Sequence, residues 1–176
     1  MMWFDQFDTP IGRLTIAADE VGLRHVLFPA NRHGSPNFAD WIRDAGRLEQ
    51  ARTQLLEYFA GQRQRFELSL RPRGTPFQQQ VWSMLATIPY GETWSYAGLA
   101  QRIEAPRAVR AVGAANGRNP LPIVVPCHRV IGADGTLTGF GGGLDTKAAL
   151  LRLEGAWPGG ATTTGSEHPQ RSLFSS

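Results

Sequence analysis

The stretch SYAGLAQRIEAPRAVRAVGAAN, residues 95–116, predicts the architecture of the second half of the chain. Ser95 is a candidate N-cap for a first helix that buries Leu99 and Ile103 on one face. The three residues EAP then turn the chain into a second helical segment, RAVRAVGAAN. Two short helices joined in this way form a helix-turn-helix. An ordinary helical hairpin shows the same pattern, so both interpretations stay open at this point.

The second helix of this pair is poor in bulky side chains, while Arg107 and Arg110 project from it. A backbone this bare can approach another surface closely, and it would fit a shallow groove such as the minor groove of DNA. A face of small residues also packs well against a neighbouring helix, which is the alternative explanation. The small residues are Ala108, Ala111, Gly113, Ala114 and Ala115.

The first 30 residues form a predicted meander of short strands, because polar and apolar residues alternate on both sides of a Thr-Pro-Ile-Gly turn. This pattern indicates an antiparallel sheet. The segment AGRLEQARTQLLEYFAG then places Leu48, Ala51, Leu55 and Phe59 at helical spacing, and Gly61 ends it. We expect this helix to cover the sheet.

Helical segments dominate after residue 74, and a closing helix, DTKAALLRLEG, has Asp145 as its candidate N-cap. The predicted fold class is therefore α+β. A small N-terminal lobe, residues 1–74, consists of the antiparallel sheet with its covering helix. A mainly helical C-terminal lobe, residues 75–156, contains the helix-turn-helix and a loop that carries the only cysteine. Residues 157–176 are rich in Gly, Ser and Thr, and we predict that they are disordered.

The composition of the 176 residues excludes several classes of protein. No window approaches 18 uninterrupted apolar residues, so we expect no membrane span. The N-terminus has neither the basic start nor the apolar core of a secretory signal, which predicts a cytoplasmic protein. A single cysteine can form no internal disulfide and no thiolate cluster, so we expect no metal site.

Positive charge is concentrated in residues 102–129, where five arginines are opposed only by Glu104. A local excess of arginine suits phosphate or another anion. A solvated surface without a ligand is the alternative. The five residues are Arg102, Arg107, Arg110, Arg118 and Arg129.

The only cysteine, Cys127, lies in IVVPCHRVIG, residues 123–132. Most lone cysteines in such proteins are buried and inert. The adjacent His128 points to a different role, because an imidazole can take the proton of a thiol and stabilise the thiolate. Successive side chains of an extended segment point to opposite sides, so the pair requires a turn or a bridging water. Glu154 is a candidate to orient the histidine.

These residues, together with RAVGAANGRNP before them and GFGGGLDTKAALLRLEG after them, resemble the active-site signature of the O6-alkylguanine-DNA alkyltransferases. The resemblance extends over residues 75–156. The N-terminal lobe agrees with the ribonuclease-H-like lobe of that family in size and strand pattern, although its sequence is less distinctive.

The resemblance implies direct reversal of DNA damage, in which Cys127 takes the alkyl group irreversibly from O6-alkylguanine, and less readily from O4-alkylthymine, in double-stranded DNA. His128, acting through a water and oriented by Glu154, would accept the thiol proton. Asn119 would brace the loop, and Tyr96 would donate a hydrogen bond or proton to the departing base. Each molecule would react once, as a monomer, without a cofactor or an obligate protein partner.

The resemblance also assigns residues to DNA and to the damaged base. The base must leave the stack to reach a thiol in a pocket, and Arg110 would fill the space that it leaves. Backbone groups around Val130 and Gly141 would read the guanine edge, with Phe140 as an apolar wall. The residues expected to contact DNA are Tyr96, Arg110, Ala111, Gly113 and Arg118.

Two departures from the family pattern carry further expectations. Many relatives have Tyr and then Ser or Ala where this chain has Phe140 and Gly141, so we expect a more mobile loop and tolerance of adducts larger than methyl. No segment resembles the metal-binding methyl-phosphotriester domain of regulatory relatives, so we expect no transcriptional role. Lys147, the only lysine, has no role that the sequence explains, and a charge on the helix surface is the simplest interpretation.

Three other functions remain as alternatives. A non-catalytic relative that only recognises alkylated bases would lack the reactive cysteine. A cysteine hydrolase would explain Cys127, His128 and Glu154 but not the small-residue helix with Arg110, and it predicts turnover. A plain helix-turn-helix DNA-binding protein would leave Cys127 as a structural residue.

Overall fold

The computed structural model describes residues 1–30 and 36–156, so the predicted disorder of residues 157–176 lies outside the described residues. Four strands and one helix come first, and four helices follow. The elements are β1 (Trp3–Thr9), β2 (Gly12–Ala18), β3 (Leu23–Leu27), β4 (Ile42–Arg43), α1 (Glu49–Phe59), α2 (Pro76–Leu85), β5 (Trp94–Ser95), α3 (Tyr96–Arg102), α4 (Val109–Gly117), a 3-10 turn (Cys127–Arg129), β6 (Val130–Ile131) and α5 (Leu144–Leu153). The α+β fold class is confirmed.

The N-terminal sheet has the strand order β3-β2-β1-β4. The first three strands pair antiparallel as predicted, and a tight turn joins Thr9 to Gly12, whose φ of 105° favours glycine. β4 departs from the prediction, because it pairs parallel with β1 through Trp3 and Ile42. After β3, at one edge of the sheet, the chain crosses to the opposite edge beside β1. There β4 runs in the same direction as β1, so the two strands pair parallel.

Helix α1 packs on this sheet with the predicted apolar face, since Leu48, Ala51 and Leu55 are buried. The last buried position differs from the prediction by one residue: Tyr58 is fully buried, whereas Phe59 is only partly buried. Apolar spacing favoured Phe59, but the hydroxyl of Tyr58 finds a polar partner inside the protein, and a paired hydroxyl can be buried at little cost.

The helix-turn-helix begins as predicted, because the Ser95 side chain caps α3 by accepting a hydrogen bond from the backbone N–H of Gly98 at 2.9 Å. Its turn is longer than the three residues expected. α3 ends at Arg102 and α4 begins only at Val109, in part because Pro106 keeps the preceding residue out of helical geometry.

The closing helix α5 begins at Leu144, and Gly143, with a φ of 95°, is its N-cap. The predicted N-cap Asp145 therefore lies in the first turn of the helix, where its charge still suits the helix dipole. Lys147, in the same helix, is fully buried.

The N-terminal sheet, α1 and the C-terminal helices share one apolar core. Leu14 and Ile16 of β2 belong to the same buried cluster as Leu99 of α3 and Leu150 of α5. The backbone N–H of Val26 in β3 also donates to the carbonyl of Pro120 at 2.9 Å. The loop that leads to Cys127 is thus attached directly to the edge of the N-terminal sheet. Over residues 1–30 and 36–156 no helix has the length and apolarity to cross a membrane.

Candidate active site

Cys127 begins a single 3-10 turn that follows Pro126. Its backbone N–H donates to the carbonyl of Val125 at 2.8 Å, and the N–H of Arg129 donates to the carbonyl of Pro126 at 3.1 Å. The thiol-bearing residue is 4% exposed. The structure therefore contains the turn that the Cys127–His128 pair requires, because this part of the chain is not an extended strand.

The loop before this turn is braced by the side chain of Asn119. Its Nδ2 donates to the carbonyl of Val125 at 2.8 Å, and its Oδ1 accepts from the N–H of Leu121 at 2.9 Å. The loop needs such support because Ile123 has a φ of 76°, which is unfavourable for a β-branched residue. The structure thus places Asn119 across the loop that carries Cys127, where the resemblance expects it.

His128 and Glu154 meet in the interior, with 2.7 Å between Nε2 and Oε2. Arg129 forms a bidentate pair with the same carboxylate, from Nε to Oε1 at 2.8 Å and from NH2 to Oε2 at 3.0 Å. Burial raises the pKa of the Glu154 carboxyl, but its contacts with His128 and Arg129 outweigh burial and hold this pKa well below its usual range. Glu154 is therefore an anion at neutral pH.

The charge of Glu154 determines which nitrogen of His128 carries the proton. A carboxylate only accepts hydrogen bonds, so Nε2 of His128 must donate to it. Nδ1 of His128 is buried and has no hydrogen-bond partner among the described residues. Burial lowers the pKa of His128 more than Glu154 raises it, which keeps the ring neutral. The site therefore holds a neutral imidazole whose Nδ1 lone pair can accept a proton.

Arg129 was counted among the arginines expected to face an anion, and that interpretation is wrong. Its side chain is buried, paired with Glu154, and donates from NH1 to the carbonyl of Ile88 at 2.6 Å. The reason is that Glu154 neutralises it inside the protein, which a charge count restricted to residues 102–129 cannot show. Arg107, Arg110 and Arg118 are exposed.

Lys147 was interpreted as a surface charge, and this is also wrong, because its side chain is 0% exposed. Nζ donates to the carbonyl of Val130 at 2.6 Å and to that of Thr138 at 3.3 Å. Burial lowers the pKa of Lys147 to about 8, while the nearby Cys127 thiol opposes this shift. The spacing held a usable signal: Lys147 shares a helical face with Leu150, Leu151 and Glu154.

The surroundings of Cys127 shift the pKa of its thiol in opposite directions. Burial raises its pKa, whereas the side chain of Asn119, the charge of Lys147 and backbone N–H groups of the turn lower it, and burial prevails in the resting site. The structure thus surrounds a protonated thiol with groups that favour its anion. Such a site stabilises a thiolate that forms during a reaction more than one that is present permanently.

Tyr96, at the first position of α3, reaches the loop that follows β6. Its hydroxyl accepts a hydrogen bond from Oγ1 of Thr138 at 2.7 Å. Burial raises the pKa of Tyr96, so the phenol keeps its own proton, which remains free for another acceptor. No sequence pattern pointed to Thr138, whose role depends on a contact between residues 42 positions apart.

A cavity of about 360 Å³ lies beside Cys127, between β3 and the loop of residues 139–141. Phe140 and Gly141, which the resemblance assigns to the base pocket, are among the residues that line it. The ring of Phe140 packs 5.4 Å from the ring of Phe28, which extends the apolar wall into the N-terminal lobe. Val130 is fully buried, pairs with Trp94 in the small parallel sheet, and offers its carbonyl to Lys147.

The outer face of α4 continues from this loop. A second cavity, of about 530 Å³, is lined by Tyr96, Gly113 and Arg118 together with Phe140 and Gly141. The opposite face of α4 packs inward against α2 and α3, where Val112 and Ala115 are buried. Among the residues expected at DNA, Ala111 and Arg110 are exposed on the outer face. In the described part of the chain no group of three or more His, Cys, Asp or Glu could hold a metal.

Comparisons with known proteins agree with this geometry. The family model described as 6-O-methylguanine DNA methyltransferase, DNA binding domain, matches residues 76–156, and the ribonuclease-like domain of the same family matches residues 2–72. The methylated-DNA–protein-cysteine methyltransferase of Methanosarcina barkeri is 48% identical over 153 residues, which are 87% of this chain and 97% of that relative. The protein of the same name from Mycobacterium bovis is 50% identical over 154 residues, 88% of this chain and 93% of that relative.

Solved structures show the same similarity. The O6-methylguanine methyltransferase of Mycobacterium tuberculosis superposes with a TM-score of 0.82 at 49% identity, covering 89% of this chain and 94% of that one. The M. tuberculosis protein in complex with DNA also gives a TM-score of 0.82 at 49% identity, covering 87% and 92%. With both family models matched and the cysteine, histidine and glutamate brought together, the chain belongs to the 6-O-methylguanine DNA methyltransferase family and is a DNA-binding repair enzyme, a methylated-DNA–protein-cysteine methyltransferase.

Proposed function

We propose that this chain repairs double-stranded DNA by moving the alkyl group from O6 of guanine, and less readily from O4 of thymine, to Sγ of Cys127. The observation that carries the proposal is the lone thiol at the wall of a cavity, next to a neutral histidine whose Nδ1 has no partner among the described residues. The S–C bond forms as the C–O6 bond breaks. The thiol proton goes to His128, and the base leaves with a proton supplied from the site.

Proton removal falls to His128, with one water between the thiol and Nδ1. Glu154 fixes the ring by accepting from Nε2 and stabilises the imidazolium that forms. The anionic charge of Glu154 is balanced by Arg129 before the reaction begins. His128 thus changes charge during the reaction, while the Glu154–Arg129 pair does not.

The developing thiolate is stabilised by Lys147 and by the Asn119 amide, both of which lower the pKa of Cys127. Tyr96 acts on the base that leaves. Because its hydroxyl accepts from Thr138, its own proton points away from that residue and toward the base, where it prevents departure as a bare anion. Phe140 forms the apolar wall beside the alkyl group, and the backbone of Val130 and Gly141 reads the guanine edge.

The product is a thioether, which has no electrophilic carbonyl for water to attack. Each molecule therefore reacts once, and the protein is consumed as a reagent. We propose that it acts as a monomer on DNA, with residues 75–156 as the DNA-binding and transfer domain and residues 1–74 as the N-terminal domain.

The exposed face of α4 supports the proposed mode of DNA binding. The small side chain of Ala111 lets the helix approach a minor groove, and Arg110 fills the place of the extruded nucleotide. Gly113 lies behind Tyr96, so the helix backbone, the tyrosine and the cavity follow one another along the surface. Arg118 is exposed at the rim and contacts phosphate.

Intact-protein mass spectrometry tests the proposal. The protein is incubated with a duplex oligonucleotide containing one O6-methylguanine, and its peptides are then mapped. We expect a gain of one methylene on the Cys127 peptide that saturates at one per molecule, and no gain in the Cys127→Ala protein. Continued demethylation beyond one equivalent would indicate hydrolytic turnover, and DNA binding without any gain would indicate a protein that only recognises damage.

A further inference from the structure

The N-terminal lobe contributes one polar group to the interior of the transfer site. We propose that Tyr58 is a positioning residue for alkyl transfer, which acts by holding through its hydroxyl the carboxylate of Glu154 that orients His128. This inference rests on the proposed function of Cys127 and His128. It adds a residue of α1, 96 positions before Glu154 in the sequence, to the His128–Glu154–Arg129 cluster, whose other members come from the C-terminal lobe.

The contact between Tyr58 and Glu154 is short and fully enclosed. The phenol oxygen lies 2.5 Å from Oε2 of Glu154, and Tyr58 is 0% exposed. The same Oε2 accepts from Nε2 of His128 at 2.7 Å and from NH2 of Arg129 at 3.0 Å. Three donors thus converge on one oxygen atom, and each limits where the other two can lie.

Tyr58 must be the donor in this hydrogen bond. Burial raises the pKa of Tyr58, and the negative charge of Glu154 raises it further, so the phenol keeps its proton. A hydrogen bond from a neutral donor to a buried anion is among the stronger ones in proteins. It disperses part of the carboxylate charge that would otherwise act on His128 and Arg129.

The remaining donors do not replace this contact. Arg129 grips both oxygens and sets the plane of the carboxylate, while the N–H of Gly91 lies 3.5 Å from Oε1, at the limit of a hydrogen bond. Without the Tyr58 hydroxyl, Oε2 keeps only His128 and Arg129. The carboxylate then attracts the Nε2–H group more strongly and raises the pKa of His128. A higher pH is therefore needed before the ring is neutral and can accept the thiol proton.

The rest of the Tyr58 side chain has an ordinary packing role. Its ring contacts those of Phe59, Phe66 and Tyr90, with centroid distances of 5.3 to 6.3 Å. Phenylalanine would preserve these contacts and remove only the hydroxyl. The charged and titratable groups that face His128 and Glu154 from every packed element are Tyr58 of α1, Tyr90 before β5, Cys127 and Arg129 of the 3-10 turn, and Lys147 of α5.

The decisive experiment measures the single-turnover rate of methyl transfer from an O6-methylguanine duplex between pH 5 and pH 9. For Tyr58→Phe we expect a transfer rate about 10-fold lower at neutral pH. The rate falls towards low pH as His128 becomes protonated, and the midpoint of this fall should move up by about 0.5 to 1 pH unit. Binding to an undamaged duplex should be unchanged. Tyr90→Phe is the matched control, because the Tyr90 hydroxyl contacts the Leu153 carbonyl at 3.4 Å and not the carboxylate.

A double-mutant cycle separates positioning from general destabilisation. In a Glu154→Gln background, which has no carboxylate charge to disperse, Tyr58→Phe should leave the pH midpoint unchanged. A Tyr58→Phe protein with the wild-type rate and pH midpoint would overturn the inference. Absence of methyl transfer in the wild-type protein would instead overturn the proposed function.

A second variant keeps the inference testable if Tyr58→Phe does not fold. Incorporation of 3-fluorotyrosine at position 58 retains the ring and makes the hydroxyl a stronger donor. The acid midpoint should then move in the opposite direction, to lower pH. An unchanged midpoint in a folded fluorotyrosine protein would also overturn the inference.

Discussion

The interior of this protein holds two groups of ionisable side chains that are constructed differently. Around Glu154, charge is already balanced, because Arg129 pairs with the carboxylate and Tyr58 and His128 complete its hydrogen bonds. Around Lys147, the hydrogen bonds that the ammonium donates within the described part of the chain go to carbonyl oxygens, and the thiol that acts on it is protonated at rest. The first group maintains a fixed charge. In the proposed mechanism, the second stabilises a thiolate that exists only while the alkyl group is transferred.

Removing the carboxylate should have the largest effect on stability. Glu154→Ala leaves the Arg129 cation buried without its partner, and breaking a buried pair in this way costs about 3 to 5 kcal/mol. Urea denaturation measures the change in the free energy of unfolding. Glu154→Gln is the control that separates loss of charge from loss of side-chain volume, because glutamine keeps the volume and one acceptor oxygen. A Glu154→Ala protein as stable as the wild type would show that this cluster contributes little to the fold.

Replacing Lys147 should reduce the transfer rate much more than it changes the free energy of unfolding. Lys147→Met deletes a buried cation that has no counter-ion among the described residues, so at pH 7 we expect an unfolding free energy within about 1 kcal/mol of the wild type. The transfer rate should fall by about 10- to 100-fold, because the thiolate loses a nearby positive charge. Single-turnover kinetics and urea denaturation on the same sample measure both. Equal losses of stability in the Lys147→Met and Glu154→Ala proteins would remove the distinction between the two groups.

The same lysine predicts a pH dependence of stability. Its pKa is lowered to about 8 in the folded protein from 10.5, so between these pH values the unfolded chain binds more protons than the folded one. Unfolding free energy should therefore rise between about pH 8 and pH 10 by about 1 to 3 kcal/mol. Below about pH 7, where the lysine is protonated in both the folded and the unfolded chain, it contributes no slope. The Lys147→Met protein should lack this rise, and an identical rise in it would assign the effect to other groups.

The smallest expected effect concerns adduct size. Gly141 lines the cavity beside Cys127, and a serine there would narrow the cavity and add a hydroxyl. We expect Gly141→Ser to leave methyl transfer within about 3-fold and to slow benzyl transfer by about 10-fold, from steric cost alone. Competition between methyl and benzyl duplexes measures the ratio. Faster benzyl transfer in the serine variant would refute the expected tolerance of larger adducts.

Local patterns predicted much of this molecule from sequence. The Ser95 cap and most of the buried face of α1 each depend on residues within a few positions of one another. The meeting of His128 with Glu154 followed from the role of an orienting carboxylate, combined with the family resemblance.

The remaining features depend on contacts that local patterns do not encode. β4 pairs parallel because of the route that the chain takes across the sheet, and the burial of Arg129 depends on a carboxylate 25 residues away. Tyr58 resembled any other aromatic residue on a helix until Glu154 was placed beside it. For Lys147 a local signal did exist, because its spacing with Leu150 places it on the buried face of the helix. Lysine is rarely buried in proteins, however, so the spacing alone did not predict its burial.

The close approach of Gly142 to Phe28 has a consequence for protein engineering. A Cβ atom at position 142 would lie 2.7 Å from the Phe28 ring, so the active-site loop and the end of the N-terminal sheet constrain each other directly. A library that randomises the loop alone would therefore recover almost only glycine at position 142. Combining it with smaller residues at position 28 would open that position, and the two sites would have to be selected as a pair.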